Sequence, residues 1–327
     1  MAPGARAGEG LGDGRVRLAV REELTGLVRD EIRRVRPRAT VMAAQTGQGD
    51  GSGEADILLV APHEVAEPDV RRMVRQGRWR WIHLTSAGYD FFRVEDVAPG
   101  TVLTRSSRCY AAPVTEYVAL ALIDDARRRT RAWDADAATV ARLDVGLFGQ
   151  TLGVAGFGAI GRNVVALGAL LGMNVKLLTR RPRSVRELPQ GVQSVTRTAD
   201  LLDVDHLVLA LPLTRDTHAM FGAEMLDRCK PGLHLVNVAR GALVDHDALA
   251  RAVEHRGVRA TLDVTEPEPL PADHALLRLP GVRISPHVAW HSRSSDWSFL
   301  RDFLDNWTRW ESGEQLTGVV DLRGPAV

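Results

Sequence analysis

Thiol chemistry is nearly absent from this chain. Cys109 and Cys229 are its only two cysteines, far apart and in no Cys-x-x-Cys pair. That spacing argues against a disulfide framework and a cysteine-built zinc site, so no metal is expected and a reduced, cytoplasmic setting fits. No apolar run is long enough to cross a bilayer. The Gly- and Ala-rich segment 1–14 lacks the apolar stretch of a signal peptide and reads as a disordered tail. Excess charge is missing too. The formal net charge is +1, so no global field draws the protein to nucleic acid or to a membrane surface. Lysine is nearly missing: Lys176 and Lys230 are the only two, and the remaining basic charge is arginine, read first as coding bias. Beyond the tail there is no internal repeat or low-complexity segment.

What remains is an ordinary globular composition, 45% hydrophobic and 25% charged, in 327 residues, a length that suggests two domains. Strand and helix patterns alternate from residue 15 onward. Strands are expected over 15–20, 40–45, 56–61, 79–86 and 101–106, with a helix over 22–35 and a Gly/Asp-rich loop over 47–53. A long helix follows over 112–129, with Pro113 in its first turn. Further strands are expected near 152–156, 174–179, 206–211, 233–238, 259–263 and 283–285. Such βα alternation implies parallel sheets covered by helices. After His291 an aromatic-rich helical segment carries Trp297, Phe299, Phe303, Trp307 and Trp310, and should pack back on the first domain.

The segment Thr151-Leu152-Gly153-Val154-Ala155-Gly156-Phe157-Gly158-Ala159-Ile160-Gly161 reads as a strand, a glycine turn and a helix start. Gly156 permits the tight turn. Gly158, without a Cβ, lets a pyrophosphate approach the backbone, and Gly161 lets the helix pack closely on the strand. The helix N-terminus offers free N–H groups and a positive dipole end. An unliganded βαβ crossover is the duller reading. The second strand of such a unit commonly ends in an acid that binds the ribose hydroxyl of NAD and repels a 2′-phosphate. Here it ends Thr179-Arg180-Arg181-Pro182-Arg183, and the first acid beyond is Glu187. Arginine grips phosphate bidentately and a threonine hydroxyl adds a donor, so NADP(H) is expected ahead of NAD(H). An exposed basic loop is the alternative.

Three polar residues follow predicted parallel strands, where open α/β sheets place their ligands. They are Arg240, Glu268 and His287. An arginine can hold a 2-oxo acid's carboxylate and polarise its carbonyl, a histidine can supply the proton, and a carboxylate can orient the histidine. Singly, each has a plainer reading: Arg240 as a helix cap or a partner of Asp245, Glu268 as a loop acid between prolines, His287 as a hydrogen-bonded loop histidine.

These residues and the glycine turn resemble the D-isomer-specific 2-hydroxyacid dehydrogenase family, of the glyoxylate/hydroxypyruvate reductase kind, over nearly the whole chain beyond the tail. Ser86-Ala87-Gly88-Tyr89-Asp90 looks like the family's substrate-binding turn, and 111–117 like the start of its interdomain helix. Leu211-Pro212-Leu213-Thr214, 237–245, 263–269 and Pro286-His287 match in order and spacing. The resemblance implies that Arg240 binds the substrate's carboxylate and carbonyl oxygen. His287 would be the acid/base and Glu268, rather than Glu266, its partner. Asp263 would bond the nicotinamide carboxamide. Backbone N–H groups of Ala87 and Gly88 would meet the carboxylate, and Ala159, Ile160, Pro212, Val238 and Ala239 would line the cofactor. It further implies a flavodoxin-like substrate domain, 15–111 with 292–327, and a doubly wound cofactor domain, 112–291. The active site would lie in the cleft between them, in a homodimer.

Departures from the family pattern bear on the substrate. Trp290 stands where a small residue is common; some glycerate dehydrogenases and the C-terminal-binding-protein corepressors look similar to this chain, with an Ala-Trp pair after this histidine. It could cover an apolar or aromatic substrate side chain, or merely pack. Thr115 replaces a frequent alanine, and Cys109-Tyr110 could border the cleft. Formate dehydrogenases carry extra catalytic groups not found here, and phosphite dehydrogenases a lysine where this chain has Ala87. The expected reaction is reduction of a 2-oxo acid to a D-2-hydroxy acid. The alternative is a nucleotide-sensing protein of the corepressor type with incidental turnover.

Overall fold

The computed structural model describes residues 15–20, 22–43, 56–62, 64, 67–128, 146–183, 188–293 and 295–322. The expected tail 1–14, the loop 47–53, residues 44–45 of the second strand, Arg129 and Glu187 lie outside them. The chain divides into two compact units, Met1–Tyr110 with Ser292–Val327, and Ala111–His291.

The first unit opens with β1 (Arg15–Ala19), α1 (Glu22–Val35) and β2 (Thr40–Ala43). Then come β3 (Ile57–Val60), α2 (Pro68–Gln76), β4 (Trp81–Leu84) and β5 (Val102–Arg105). The strands form a parallel sheet of order β2-β1-β3-β4-β5, the flavodoxin-like arrangement. All four residues of β3 and of β4 are buried, as befits inner strands covered on both faces. On α1 the buried Val28 and Ile32, four apart, meet the sheet. Proline at the start of α2 supplies no N–H where none is needed.

The aromatic segment folds as the helix Ser295–Glu311. Phe299, Phe303, Trp307 and Trp310, spaced by four, four and three, fall on one face and join Val16, Leu18, Ile57 and Leu59 in the core. Trp81 stacks on Phe303 at 5.0 Å and on Trp310 at 6.0 Å. The side chain of Trp297 is outside the described set. A buried polar thread crosses this core. Trp81 Nε1 donates to Thr104 Oγ1 at 2.8 Å, and His83 lies 2.7 Å from Thr104 Oγ1 and 3.0 Å from Ser106 Oγ. Burial pushes His83 down to about 3, so it stays neutral.

The second unit begins with α3 (Ala111–Arg128), β6 (Thr151–Ala155), α4 (Ala159–Leu170), β7 (Asn174–Leu178) and β8 (Val192–Val195). It continues with β9 (His206–Leu209), a short α5 (Ala223–Leu226), β10 (His234–Asn237), α6 (His246–Arg256), β11 (Arg259–Leu262) and β12 (Val282–Ile284). The seven strands are parallel in the order β12-β11-β10-β9-β6-β7-β8. Chain order reverses between β6 and β9, the switch point at whose carboxyl edge doubly wound sheets bind ligands. The expected strand 206–211 ends at Leu209, with Ala210 N still bonded to Ala155 O at 2.8 Å, and Pro212, which has no N–H, cannot carry the ladder further. On α6 the Asp245 carboxylate accepts from Ala248 N at 2.9 Å and Gly257 closes the end at φ 65°. Asp245 therefore caps α6. No described helix is long and apolar enough to cross a membrane.

Candidate active site

The carboxyl end of β6 shows what each glycine does. Gly156 has φ +105°, and a Cβ there would lie 2.5 Å from Ala210 O. A Cβ on Gly161 would lie 2.1 Å from Gly156 O, so α4 rests on the turn itself. Gly158 is different: a Cβ would meet nothing within 4 Å. It is the N-cap of α4 and gives no side-chain cap. The first N–H groups of α4, including those of Ala159 and Ile160, thus open onto clear space beside a positive helix end. Such a cradle fits a dinucleotide's pyrophosphate.

At the end of β7, Thr179 Oγ1 donates to Arg181 O at 2.7 Å, and Arg183 N donates to Ser194 Oγ at 3.1 Å. The Thr179 hydroxyl therefore shapes the basic loop, where a phosphate donor was expected. Arg180 and Arg181 are exposed. The structure joins to Arg183 of the strand end a cation that the strand-end reading left aside, Arg162. Arg162 lies 4.2 Å from the Phe157 ring and Arg183 lies 5.5 Å from it, bringing both guanidinium groups to the glycine turn. The signal was present: Arg162 directly follows Gly161.

Three neighbouring strand ends carry the polar set. Beyond β10, buried Asn237 folds back so that Nδ2 donates to Arg240 O at 2.9 Å and Oδ1 accepts from Ala239 N at 3.1 Å. This fixes the turn that presents Arg240, whose Nη1 donates to Ala239 O at 2.7 Å. Val238 is buried there and Ala239 partly so; Pro212, beyond β9, is exposed. Beyond β11, Asp263 is 2% exposed. Its Oδ1 accepts from Ser285 Oγ at 2.7 Å and from Val288 N at 2.8 Å, and its Oδ2 from Ala289 N at 2.9 Å. The carboxylate is thus the peg on which the loop after β12 hangs.

That loop presents His287 in the left-handed region, φ 56°, with its N–H bonded to Asp263 O at 2.9 Å. A non-glycine residue held there costs about 1–3 kcal/mol and persists only when its surroundings fix it. His287 Nδ1 meets Glu268 Oε1 at 2.8 Å, so of the two loop acids it is Glu268 that pairs with the histidine. Both side chains remain about 40% exposed, open to a small molecule. Trp290 Nε1 donates to His287 O at 2.8 Å, pinning the indole against the same loop.

Gly241 locks two of these segments together. A Cβ on it would fall 2.0 Å from the Thr265 carbonyl carbon and 2.6 Å from Glu266 N. Gly241→Ala should therefore cost about 3 kcal/mol of stability and displace Arg240 relative to Glu268. Thermal melts and kcat/KM measured together check this; an unchanged Tm would refute it.

In the first unit the turn 85–88 is held through its carbonyls. Tyr110 Oη donates to Thr85 O at 2.6 Å, Ser86 Oγ to Gly88 O at 2.6 Å, and Arg105 to Ala87 O. Since a trans peptide sets N–H opposite C=O, anchoring Ala87 O turns the Gly88 N–H away from Arg105. Arg105 also lies 5.4 Å from the Tyr89 ring. Burial, with Asp302 nearby, pushes the Cys109 thiol up to about 12, so it is no nucleophile at neutral pH.

Fold and site define a class: an α/β oxidoreductase of the dinucleotide-binding kind. Residues 119–289 match the model of the NAD binding domain of the D-isomer specific 2-hydroxyacid dehydrogenases. Among curated relatives, glyoxylate/hydroxypyruvate reductase B of Pectobacterium carotovorum is 32% identical over 255 residues, 75% of this chain and 79% of that one. A glyoxylate reductase of Korarchaeum cryptofilum is 30% identical over 246 residues, 72% of this chain and 74% of that one. Among solved structures, a D-isomer specific 2-hydroxyacid dehydrogenase from Xanthobacter autotrophicus in complex with NADPH and MES aligns with TM-score 0.77. It is 25% identical and covers 95% of this chain and 98% of its own. The chain belongs to the D-isomer specific 2-hydroxyacid dehydrogenase family.

Proposed function

We propose that the protein reduces a 2-oxo acid to the D-2-hydroxy acid, with NADPH preferred to NADH. The observation that carries this reading is the His287–Glu268 pair at 2.8 Å on the strand edge that also presents Arg240. Glu268, an acceptor when ionised, accepts a hydrogen bond from the Nδ1–H of His287. The other ring nitrogen, Nε2, is then the one that gives a proton to the carbonyl oxygen. Arg240 holds the substrate carboxylate with its planar fork and polarises the carbonyl. When bound, the nicotinamide supplies the hydride. The Gly158 cradle and the start of α4 hold the pyrophosphate, while Pro212, Val238 and Ala239 line the nucleotide. Asp263 has about four lone-pair sites and fills three within the loop, which leaves one on Oδ2 for the carboxamide. Trp290 covers the substrate side chain. A homodimer in a cytoplasmic setting completes the proposal.

The cofactor preference rests on Arg162, Arg180, Arg181 and Arg183. Replacing Arg180 or Arg181 singly by alanine should lower kcat/KM for NADPH by about 10- to 100-fold while NADH is little affected, since each charge-assisted bond is worth about 1.5–3 kcal/mol. A wild-type enzyme with higher kcat/KM for NADH overturns the preference. The test of the whole reading is a panel of 2-oxo acids, glyoxylate and hydroxypyruvate included, run with NADPH and NADH in parallel. Turnover is expected. Negligible rates on every acid, together with tight nucleotide binding, would instead mark a nucleotide sensor.

A further inference from the structure

At the opposite, amino-terminal edge of the same sheet, three adjacent strands each begin with a polar residue. His206, His234 and Arg259 start β9, β10 and β11 and lie in register. Histidines there are costly, because both are about 1% exposed. Asp125 of α3, likewise buried, faces them. The distances are His206 Nδ1 to His234 Nδ1, 3.2 Å, and His234 Nδ1 to Asp125 Oδ2, 3.8 Å. One ligand atom from each of the three lies within 4.8 Å of the other two.

The hydrogen bonds around the cluster decide which nitrogens carry protons. Gln150 Nε2 donates to Gly146 O at 2.8 Å, so its Oε1 is the atom facing His206 Nε2, also at 2.8 Å. A carbonyl oxygen only accepts, so Nε2 of His206 bears the proton and Nδ1 holds a lone pair. That lone pair points at His234 Nδ1. The far nitrogen of His234 meets Thr261 Oγ1 at 3.0 Å, a hydroxyl that can accept its proton or donate to it. The Arg259 guanidinium donates to both carboxylate oxygens of Asp125, at 2.6 and 3.0 Å.

We infer that Asp125, His206 and His234 form a structural site for a late first-row divalent cation, Zn²⁺ or Co²⁺. Two imidazole nitrogens about 2.05 Å from a tetrahedral ion stand about 3.3 Å apart, close to the separation already present. Asp125 Oδ2 must approach His234 Nδ1 by about 0.5 Å to reach the same spacing, and its ligand atom lies within 4.8 Å of that of His206. With one oxygen from Asp125 the three side chains supply three donors, and a water would complete the tetrahedron. Gln150 and Thr261 act as the outer partners that fix ring orientation in metal sites. The low cysteine count argues against a thiolate centre, and the expectation of no metal that follows from it does not weigh imidazole and carboxylate ligands. The ion would tie α3 to the amino ends of β9 and β10, with no part in hydride transfer.

Tag-free protein, stripped with a chelator, is titrated with Co²⁺ at pH 7.5. One equivalent should bind with the visible bands of tetrahedral cobalt, be displaced by Zn²⁺, and raise Tm progressively with ion concentration. His206→Gln and His234→Gln should each weaken binding about 100-fold, while His255→Ala on the exposed face of α6 should not. Wild-type protein that gains no visible band and no Tm rise overturns the site, whatever the variants do. Bands that persist unchanged in both His206→Gln and His234→Gln overturn it as well.

Discussion

Replacing His287 by alanine should lower kcat by about 10²- to 10⁴-fold, the usual worth of a positioned acid/base, with NADPH affinity nearly unchanged. The split follows from the geometry. The pyrophosphate cradle is built from Gly156, Gly158 and Gly161 after β6, and His287 is absent from it. Asp263 would still grip Ser285, Val288 and Ala289, so the loop keeps its anchor when the ring is removed. Alanine also meets the left-handed backbone at this position without a bulky side chain, so a large Tm loss is not expected. Retained turnover would sink the acid/base assignment. Equal loss of nucleotide binding and rate would place the defect in the loop's fold.

Arg240→Ala should lower kcat by about 10²- to 10³-fold, the range for removing a donor to developing oxyanion charge, and should raise KM for the 2-oxo acid as well. Both readouts matter, because the guanidinium has two tasks, clamping the carboxylate and polarising the carbonyl. Lysine should rescue poorly: a point charge cannot reproduce two parallel N–H bonds. The turn itself should survive, since Asn237 holds it through backbone atoms of Ala239 and Arg240. Unaltered KM and kcat in Arg240→Ala, in protein that melts like wild type, would remove Arg240 from the site.

The strands that build both sheets were legible because inner parallel strands are short apolar runs, as in Ile57–Val60 and Leu207–Leu209. The edge strand Val192–Val195 was not, since Gln193 and Ser194 break its apolar run and it is recognisable only by its pairing with β7. Arg240, Glu268 and His287 could be read because each follows a strand at a spacing that family resemblance makes specific. What escaped is non-local. Asp263 looks in sequence like a cofactor ligand, yet three of its acceptor positions serve a loop more than twenty residues away. Thr179 looks like a phosphate donor, yet its proton goes to Arg181 O two residues on. The buried His206 and His234 carry no motif at all. They acquire meaning only when parallel register sets two strand beginnings side by side.

The contact of Gly241 with Thr265 and Glu266 has a consequence for changing the enzyme by design. Two backbones that touch without an intervening side chain behave as one rigid part, so neither loop can be lengthened, shortened or grafted alone. Exchange of this region between relatives should succeed only when 237–245 and 263–269 travel together. Finer retuning of substrate choice would fall to side chains that leave this seam intact, Trp290 first among them.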